Sequence, residues 1–148
     1  MADVGTKRVG NDREDKVALL NPAQAKLLED NPFVGFLGMK LVNSADDVSY
    51  QLSFRDQHMG NPLLRTFHGG ILASFGEISA ALHVIGILDL NSEPQCQSMT
   101  FDYLRPAFAG TICAVPQVIR SGKRFIITSV EIYQNQTLVA MGRFIYTR

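Results

Sequence analysis

The sequence predicts an α+β fold in which an antiparallel sheet wraps around one long central helix. Three observations predict it: an apolar helical run at 70–88, four strand-like runs after it, and a cleanly alternating run at 48–55 before it. Strands joined by short turns pair antiparallel, and a helix segregated from them packs on one face of the sheet. The chain has 148 residues, 46% of them hydrophobic, which suits one domain with a substantial core.

The N-terminal part contains two regions of different character. Residues 1–15 are polar and charged, so we expect a disordered tail followed by a single domain over 16–148. Asn21 followed by Pro22 is a typical helix start, with an N-cap and a proline in the first helical position. Good helix formers follow, and the pattern predicts a short helix over 21–30.

Strands and loops occupy the stretch between this helix and the apolar run. The segment 33–43, FVGFLGMKLVN, is predicted to be a strand, and 43–47 a turn. In 48–55 apolar and polar residues alternate, which predicts a half-buried strand. Residues 56–69 are predicted to be a loop, with Gly60-Asn61-Pro62 as its break.

The C-terminal half is predicted to be a meander of four strands. The runs are QSMTFDYLR (97–105), TICAVPQVIR (111–120), RFIITSVEIY (124–133) and TLVAMGRFIY (137–146). The linkers at 121–122 and 134–136 are short enough for hairpins. Because Pro116 has no N–H for a strand ladder, we expect its strand to be at an edge or to carry a bulge there.

The apolar helix at 70–88 has two different faces. The residues three and four positions from Glu77 are all small: Ala73, Ser74, Ala80 and Ala81. The large residues form a separate continuous stripe, made up of Ile71, Phe75, Ile78, Leu82 and Ile85. We expect the large face to pack on the sheet and the small face to leave room for a partner chain or a ligand. Glu77 near the centre argues against a membrane span, although the length of about 20 residues would suffice.

A carboxylate on a mostly buried helix is costly unless it is paired, hydrogen-bonded or used in chemistry. From the residue pattern alone, a structural role for Glu77 and a functional one are equally plausible. Gly69 and Gly70 add a second signal, because they leave unpaired N–H groups at the positive end of the helix. Such donors stabilise the oxyanion of a reacting carbonyl. Eight helical residues rise about 12 Å, so Glu77 can meet that carbonyl only from an antiparallel second copy, which predicts a homodimeric site.

Charge and cysteine content exclude several classes of protein. Fourteen basic residues balance fourteen acidic ones, which argues against nucleic acid as a partner. The N-terminus has no apolar stretch that would act as a signal peptide or membrane anchor. Cys96 and Cys113 show no CxxC spacing, as expected of thiols in a reducing cytoplasm. The histidines show no ligand spacing, so we expect no metal and no cofactor.

Three motifs together resemble the hotdog-fold thioesterases of the PaaI type. They are HGG at 68–70 with an acid nine residues after its histidine, MTFDYLRPAFAG at 99–110, and VIRSGKR at 118–124. The resemblance covers about 31–148. It implies a sheet around one long helix, and homodimers or homotetramers with active sites at the dimer interface. The implied substrate is an acyl group on coenzyme A or a carrier protein, and the implied reaction is thioester hydrolysis.

The resemblance also implies roles for individual residues. Gly69 matches the glycine whose N–H polarises the thioester carbonyl, and Glu77 matches the acid that acts from the other subunit as nucleophile or general base. Asn61 is the candidate for an asparagine that positions water. His68 is implied to organise the turn into the helix, and a simple capping role is equally plausible.

Further candidates are a hydroxyl and a set of basic residues. The position of a family hydroxyl aligns with Cys96, and Ser98, expected on the same strand face, is included as the hydroxyl candidate. Gly70 is implied to contact substrate beside Gly69. Four cations are implied to contact the nucleotide or pyrophosphate of coenzyme A, with a solvated hairpin tip as the alternative for Lys123: Arg105, Arg120, Lys123 and Arg124.

Two functions remain open at this point. The first is a homo-oligomeric acyl-thioester hydrolase. The second is a hotdog module that binds acyl-CoA without cleaving it, since fold alone does not determine function. A hotdog dehydratase would carry a histidine and an aspartate in a strand-to-helix loop, a motif that this sequence lacks.

Overall fold

The computed structural model of the chain describes residues 20–43 and 48–148. The predicted tail over 1–15 and the positions 44–47 of the predicted turn lie outside the described residues. Three α-helices are present in the described part: α1 (Pro22–Asp30), α2 (Pro32–Leu37) and α3 (Gly69–Leu88). The strands there are β1 (Lys40–Asn43), β2 (Val48–Ser53), β3 (Met59–Asn61), β4 (Thr66–Phe67), β5 (Gln95–Tyr103), β6 (Thr111–Ser121), β7 (Phe125–Gln134) and β8 (Thr137–Thr147).

The sheet and the long helix have the predicted arrangement. Six of the described strands form an antiparallel sheet in the order β1-β2-β6-β7-β8-β5, and α3 packs across one face of it. The hairpin between β7 and β8 turns at Asn135 and Gln136, both with positive φ, as a tight two-residue hairpin requires. The α+β prediction of an antiparallel sheet around a central helix is confirmed.

Helix α2 corrects the prediction of a strand beginning at residue 33. The side chain of Asn31 accepts hydrogen bonds from the N–H groups of Phe33 and Val34, and Pro32 occupies the first turn. This repeats the Asn-Pro start seen at α1, where Asn21 and Gln24 form a capping box. Gly38 ends the helix in the left-handed conformation, with φ of 69°. Only the last four residues of the predicted strand form one, as β1.

The predicted loop at 56–69 contains structure of its own. Asp56–His58 forms a 3₁₀ turn, and β3 pairs with β4 as a two-stranded ribbon that leads directly into α3.

Pro116 obeys the edge rule locally. It pairs with Val130 of β7 on one side, and the pairing of β2 with β6 stops at Ala114 on the other. The bulge in β6 falls at 118–120 instead.

Helix α3 buries its large face as predicted, with Phe75, Leu82 and Ile85 fully inaccessible. The small-residue face is only partly open. Ala80 and Ala81 are buried within their own chain, whereas Ala73, Ser74 and Glu77 are half-exposed. By length and composition α3 would qualify as a membrane span, but 61% of its most apolar window is buried in this fold. It is the core helix of the domain.

Candidate active site at the start of helix α3

Within the described residues, the first turn of α3 presents one free backbone donor. His68 is the N-cap, and its Nδ1 atom accepts the N–H of Gly70 at 2.9 Å. The carbonyl of His68 accepts the N–H groups of Ile71 and Leu72. In the described part of the chain the N–H of Gly69 has no acceptor. Of the two glycines predicted to face a ligand, Gly69 is therefore the one with an available N–H. His68 caps the helix, a position that fits both of its predicted roles, the organiser of the turn and the simple cap.

A cleft of about 310 Å³ opens beside this donor. Tyr103 contributes part of its wall, and the Tyr103 hydroxyl donates to the carbonyl of Gly69 at 2.8 Å. A Cβ atom on residue 69 would lie 3.1 Å from the Tyr103 ring, so glycine is what allows this close contact. The remaining lining is mostly apolar and consists of Thr66, Phe67, Leu72, Leu104, Arg105, Pro106 and Ala107.

The β3–β4 ribbon holds the predicted asparagine near the helix start. The N–H of His68 donates to the carbonyl of His58, and a Cβ on Gly60 would come within 2.7 Å of the His68 Cα. Asn61 follows directly on this contact and is exposed. Its Oδ1 accepts the N–H groups of Leu63 and Leu64. Among the described residues Nδ2 of Asn61 has no acceptor, so this group is left to contact a ligand or a water.

Glu77 stands two turns further along α3, in an environment that disfavours its charge. Burial, and then the nearby charge of Glu93, raise the pKa of the Glu77 carboxyl above its ordinary value. In the described residues the carboxylate has no hydrogen-bond or salt-bridge partner. Its backbone is firmly held, because the Tyr146 hydroxyl donates to the Glu77 carbonyl. Gly76 lets the Phe101 ring approach within about 3.1 Å of the position a Cβ would take.

Cys96 and Ser98 do not share a strand face, which corrects the prediction. A bulge lies between them, so that Cys96 pairs with Tyr146 whereas Ser98 pairs with Ile145. Tyr146 is buried towards α3, and Ile145 points to the opposite face. Cys96 therefore belongs to the Glu77 side of the sheet. Burial, and then the charge of Glu77, raise the pKa of its thiol. The exposed Ser98 lies on the far face.

The predicted basic residues fall into two places. Arg105 lines the cleft beside Gly69, and one of its guanidinium N–H groups donates to the carbonyl of Leu138 at 2.9 Å. Arg120, Lys123 and Arg124 lie together around the β6–β7 hairpin. They line a second cleft of about 310 Å³, with the exposed ring of Phe125 as an apolar wall.

Sequence reasoning missed three side chains near the helix start and Glu77. Tyr103 and Tyr146 donate to backbone carbonyls of α3, and strand alternation could have indicated that both face the helix. His58, which lies in the predicted loop, is fully buried and stacks on Phe67. Among the described residues, no group of three His, Cys, Asp or Glu side chains could hold a metal.

Comparisons with known proteins identify the family. The sequence model of the "Acyl-CoA thioesterase N-terminal domain" family matches residues 60–147. The medium/long-chain acyl-CoA thioesterase YigI of Escherichia coli K12 is 28% identical over an alignment of 122 positions, and the match covers 72% of this chain and 78% of that protein.

Solved structures give the same result. The PaaI protein of the E. coli phenylacetic acid degradation operon matches with a TM-score of 0.71 and 28% identity, over 85% of this chain and 90% of its own. A point mutant of the phenylacetic acid degradation protein PaaI from Thermus thermophilus matches with a TM-score of 0.68 and 26% identity, over 80% of this chain and 99% of its own. Since the family model alone spans more than half of the sequence, the chain belongs to the acyl-CoA thioesterases, as a hotdog-fold thioester hydrolase of the PaaI-like type.

Proposed function

We propose that the chain hydrolyses acyl-CoA thioesters at two equivalent sites in a homodimer. Each site combines the Gly69 N–H of one subunit with Glu77 of the partner subunit. The N–H polarises the thioester carbonyl, and the carboxylate activates water or attacks the carbonyl directly.

The free edge of β5 carries this proposal. β5 pairs with β8 on one side, and no described strand pairs with its other edge. It has nine residues, most of them exposed, including Met99 and Tyr103. A long open edge is a template for pairing with another chain, and an isologous contact with a second copy satisfies both edges at once. The sheet of one subunit would then continue into that of the partner.

The two ends of β5 lie close to the two proposed site residues, Gly69 and Glu77, and this placement supports a shared site. Tyr103 at the end of β5 bonds to Gly69. Cys96, near the beginning of β5, lies close enough to Glu77 for the carboxylate charge to add to burial in raising the pKa of its thiol. Two copies of β5 paired antiparallel about a two-fold axis place the end of one strand next to the beginning of the other. The Gly69 region of each subunit thereby comes to the Glu77 region of its partner.

The chemistry follows from these two groups. In the general-base route, Glu77 takes a proton from a water molecule while the oxygen of that water forms a bond to the carbonyl carbon of the thioester. Negative charge moves onto the carbonyl oxygen, where the Gly69 N–H receives it. The intermediate collapses by breaking the carbon–sulfur bond, and the departing thiolate recovers the proton from Glu77. The raised pKa of Glu77 makes its carboxylate a stronger base at neutral pH.

The second cleft supports coenzyme A as the thiol part of the substrate. Arg120, Lys123 and Arg124 present three cations, which suit a pyrophosphate and a ribose phosphate. The exposed Phe125 ring offers a stacking surface for adenine. The acyl chain would lie along the apolar wall beside Gly69. The names of YigI and PaaI suggest medium- to long-chain or arylacetyl groups as the first to assay.

Subunit complementation tests the proposal. Glu77→Gln and Gly69→Pro each inactivate both sites of their own homodimer, since proline removes the N–H. A mixed dimer keeps one intact site, built from the Gly69 of one chain and the Glu77 of the other. When the two variants pair at random, half of the dimers are mixed, and each mixed dimer has one of its two sites intact. Co-expression should therefore restore about a quarter of the wild-type turnover. Thiol release no higher than that of the parent variants would overturn the shared site.

Control measurements separate catalysis from binding alone. Acyl-CoA that raises the Tm of the wild type without any release of thiol would favour a binding module. If Glu77 attacks as the nucleophile, the thiolate leaves and a mixed anhydride forms; a single turnover in ¹⁸O-water then leaves ¹⁸O in the protein where water opens the anhydride at the Glu77 carbonyl. The general-base route places ¹⁸O in the product acid alone, so label in the protein identifies the nucleophilic route. Pairing of dimers into tetramers and a cytoplasmic location remain predictions.

A further inference from the structure

We infer that Tyr103 is a positioning residue that holds the Gly69–Gly70 peptide group and thereby aims the Gly69 N–H into the cleft. The inference rests on the proposed role of that N–H as the oxyanion donor. Tyr103 would act through the backbone of the neighbouring helix, not through a bond to the reacting atoms.

The first observation is that one peptide group is held at both of its polar atoms. The carbonyl of Gly69 and the N–H of Gly70 belong to the same peptide unit. The Tyr103 hydroxyl donates to the carbonyl at 2.8 Å, and His68 Nδ1 accepts the N–H at 2.9 Å. One bond comes from the sheet and the other from the helix cap, so the plane of this peptide is set from two independent elements.

The second observation explains why such a clamp is needed. Two consecutive glycines have the softest backbone a chain can have, and here they form the first turn of a helix, which lacks preceding intrahelical bonds. An oxyanion donor contributes through its preorganised direction. A loosely held Gly69–Gly70 peptide would let residue 69 vary in φ and ψ, so that the Gly69 N–H would sample a wider range of directions and lose part of that contribution.

The third observation is that Tyr103 is itself held in place. Its backbone pairs with Ala140 of β8, and the next N–H, of Leu104, donates to Val139. Its ring lies edge-on to Phe101, with centroids 5.0 Å apart. The same ring lies where a side chain on residue 69 would extend. Tyr103 therefore fixes the carbonyl and also occupies the space that keeps residue 69 a glycine.

Tyr103→Phe tests the inference because it removes only the hydroxyl. We expect kcat to fall about tenfold, a part of the roughly 10²–10³-fold lost when an oxyanion donor is removed entirely. KM should stay within about twofold, because the ring that lines the cleft is kept. Tyr133→Phe is the matched control, since its hydroxyl bonds to the Glu131 carboxylate away from both clefts. It should leave kcat unchanged.

A backbone measurement keeps the test independent of turnover. With ¹⁵N-glycine labelling, Tyr103→Phe should lower the NMR order parameter of the Gly69 amide, and Tyr133→Phe should not. An unchanged order parameter would overturn the inference whatever the activity. So would a kcat within twofold of wild type while Glu77→Gln is inactive. If Glu77→Gln hydrolysed acyl-CoA at the wild-type rate, the proposed function would fail, and the order parameter alone would decide the role of Tyr103.

Discussion

Replacing Gly69 by proline isolates the proposed oxyanion donor more cleanly than any other single change. The N–H of Gly69 has no acceptor among the described residues, so its loss leaves no group of the fold unsatisfied. Position 69 is the first residue of α3, where proline is favoured. The preceding His68 has φ of −64° and ψ of 139°, the extended conformation that a residue before proline adopts.

The matched control is Gly69→Ala, because any Cβ at this position lies 3.1 Å from the Tyr103 ring. Both variants bear that crowding, and only proline lacks the N–H. Removing one oxyanion donor typically costs roughly 10²–10³-fold in kcat, or about 2.7–4 kcal/mol of transition-state stabilisation. Thiol release from acyl-CoA should show Gly69→Pro slower than Gly69→Ala by that factor. A difference below threefold, with both proteins folded, would refute the assignment of this N–H.

Four other predictions follow from the same geometry. The kcat of the wild type should fall as pH is lowered, with a midpoint above the ordinary glutamate pKa, and Glu93→Gln should move that midpoint to lower pH because it removes a repelling charge. A raised pKa means that the folded state holds the Glu77 proton more tightly than the unfolded chain, so stability is lost as pH rises through that pKa; Glu77→Gln should therefore have the higher Tm at pH 8 and lose this advantage at pH 4. Arg124→Ala should raise KM for acyl-CoA about tenfold, leaving kcat and the hydrolysis of acyl-pantetheine unchanged. Met99→Lys with Thr100→Lys should place like charges opposite each other at the β5 edge, giving monomers by light scattering and no turnover.

Local signals predicted most of the fold because the elements here follow their local rules. The stripe of large apolar residues on α3 and the apolar–polar alternation in β2 each predicted a face that the structure buries. The error at α2 had a local cause as well. The Asn31-Pro32 pair repeats the helix start at Asn21-Pro22, but the apolar residues after it carry strand propensity, and the cap outweighed that propensity.

The site was less predictable because it depends on where elements meet. No sequence spacing shows that the Tyr103 hydroxyl reaches the Gly69 carbonyl, 34 positions earlier. The bulge that separates Cys96 from Ser98 is one extra residue in a strand, and it reverses the face of everything on one side of it. Regular alternation along the strand predicts a shared face for Cys96 and Ser98, and the bulge makes that prediction wrong.

Two polar groups without a partner lie near the open edge of β5 in the described chain. The Glu77 carboxylate has no partner, the Gly69 N–H has no acceptor, and the outer edge of β5 has no strand beside it. In a monomer, the half-buried carboxylate and N–H would stay without partners, which destabilises a fold, and the exposed strand edge would stay open to pairing with other chains. In the proposed homodimer, a second copy on the β5 edge would give the strand its ladder and would bring the acid and the donor to opposite sides of one substrate carbonyl. The same contact would then complete both the sheet and the site, so variants that separate the subunits should lose activity even where each subunit stays folded.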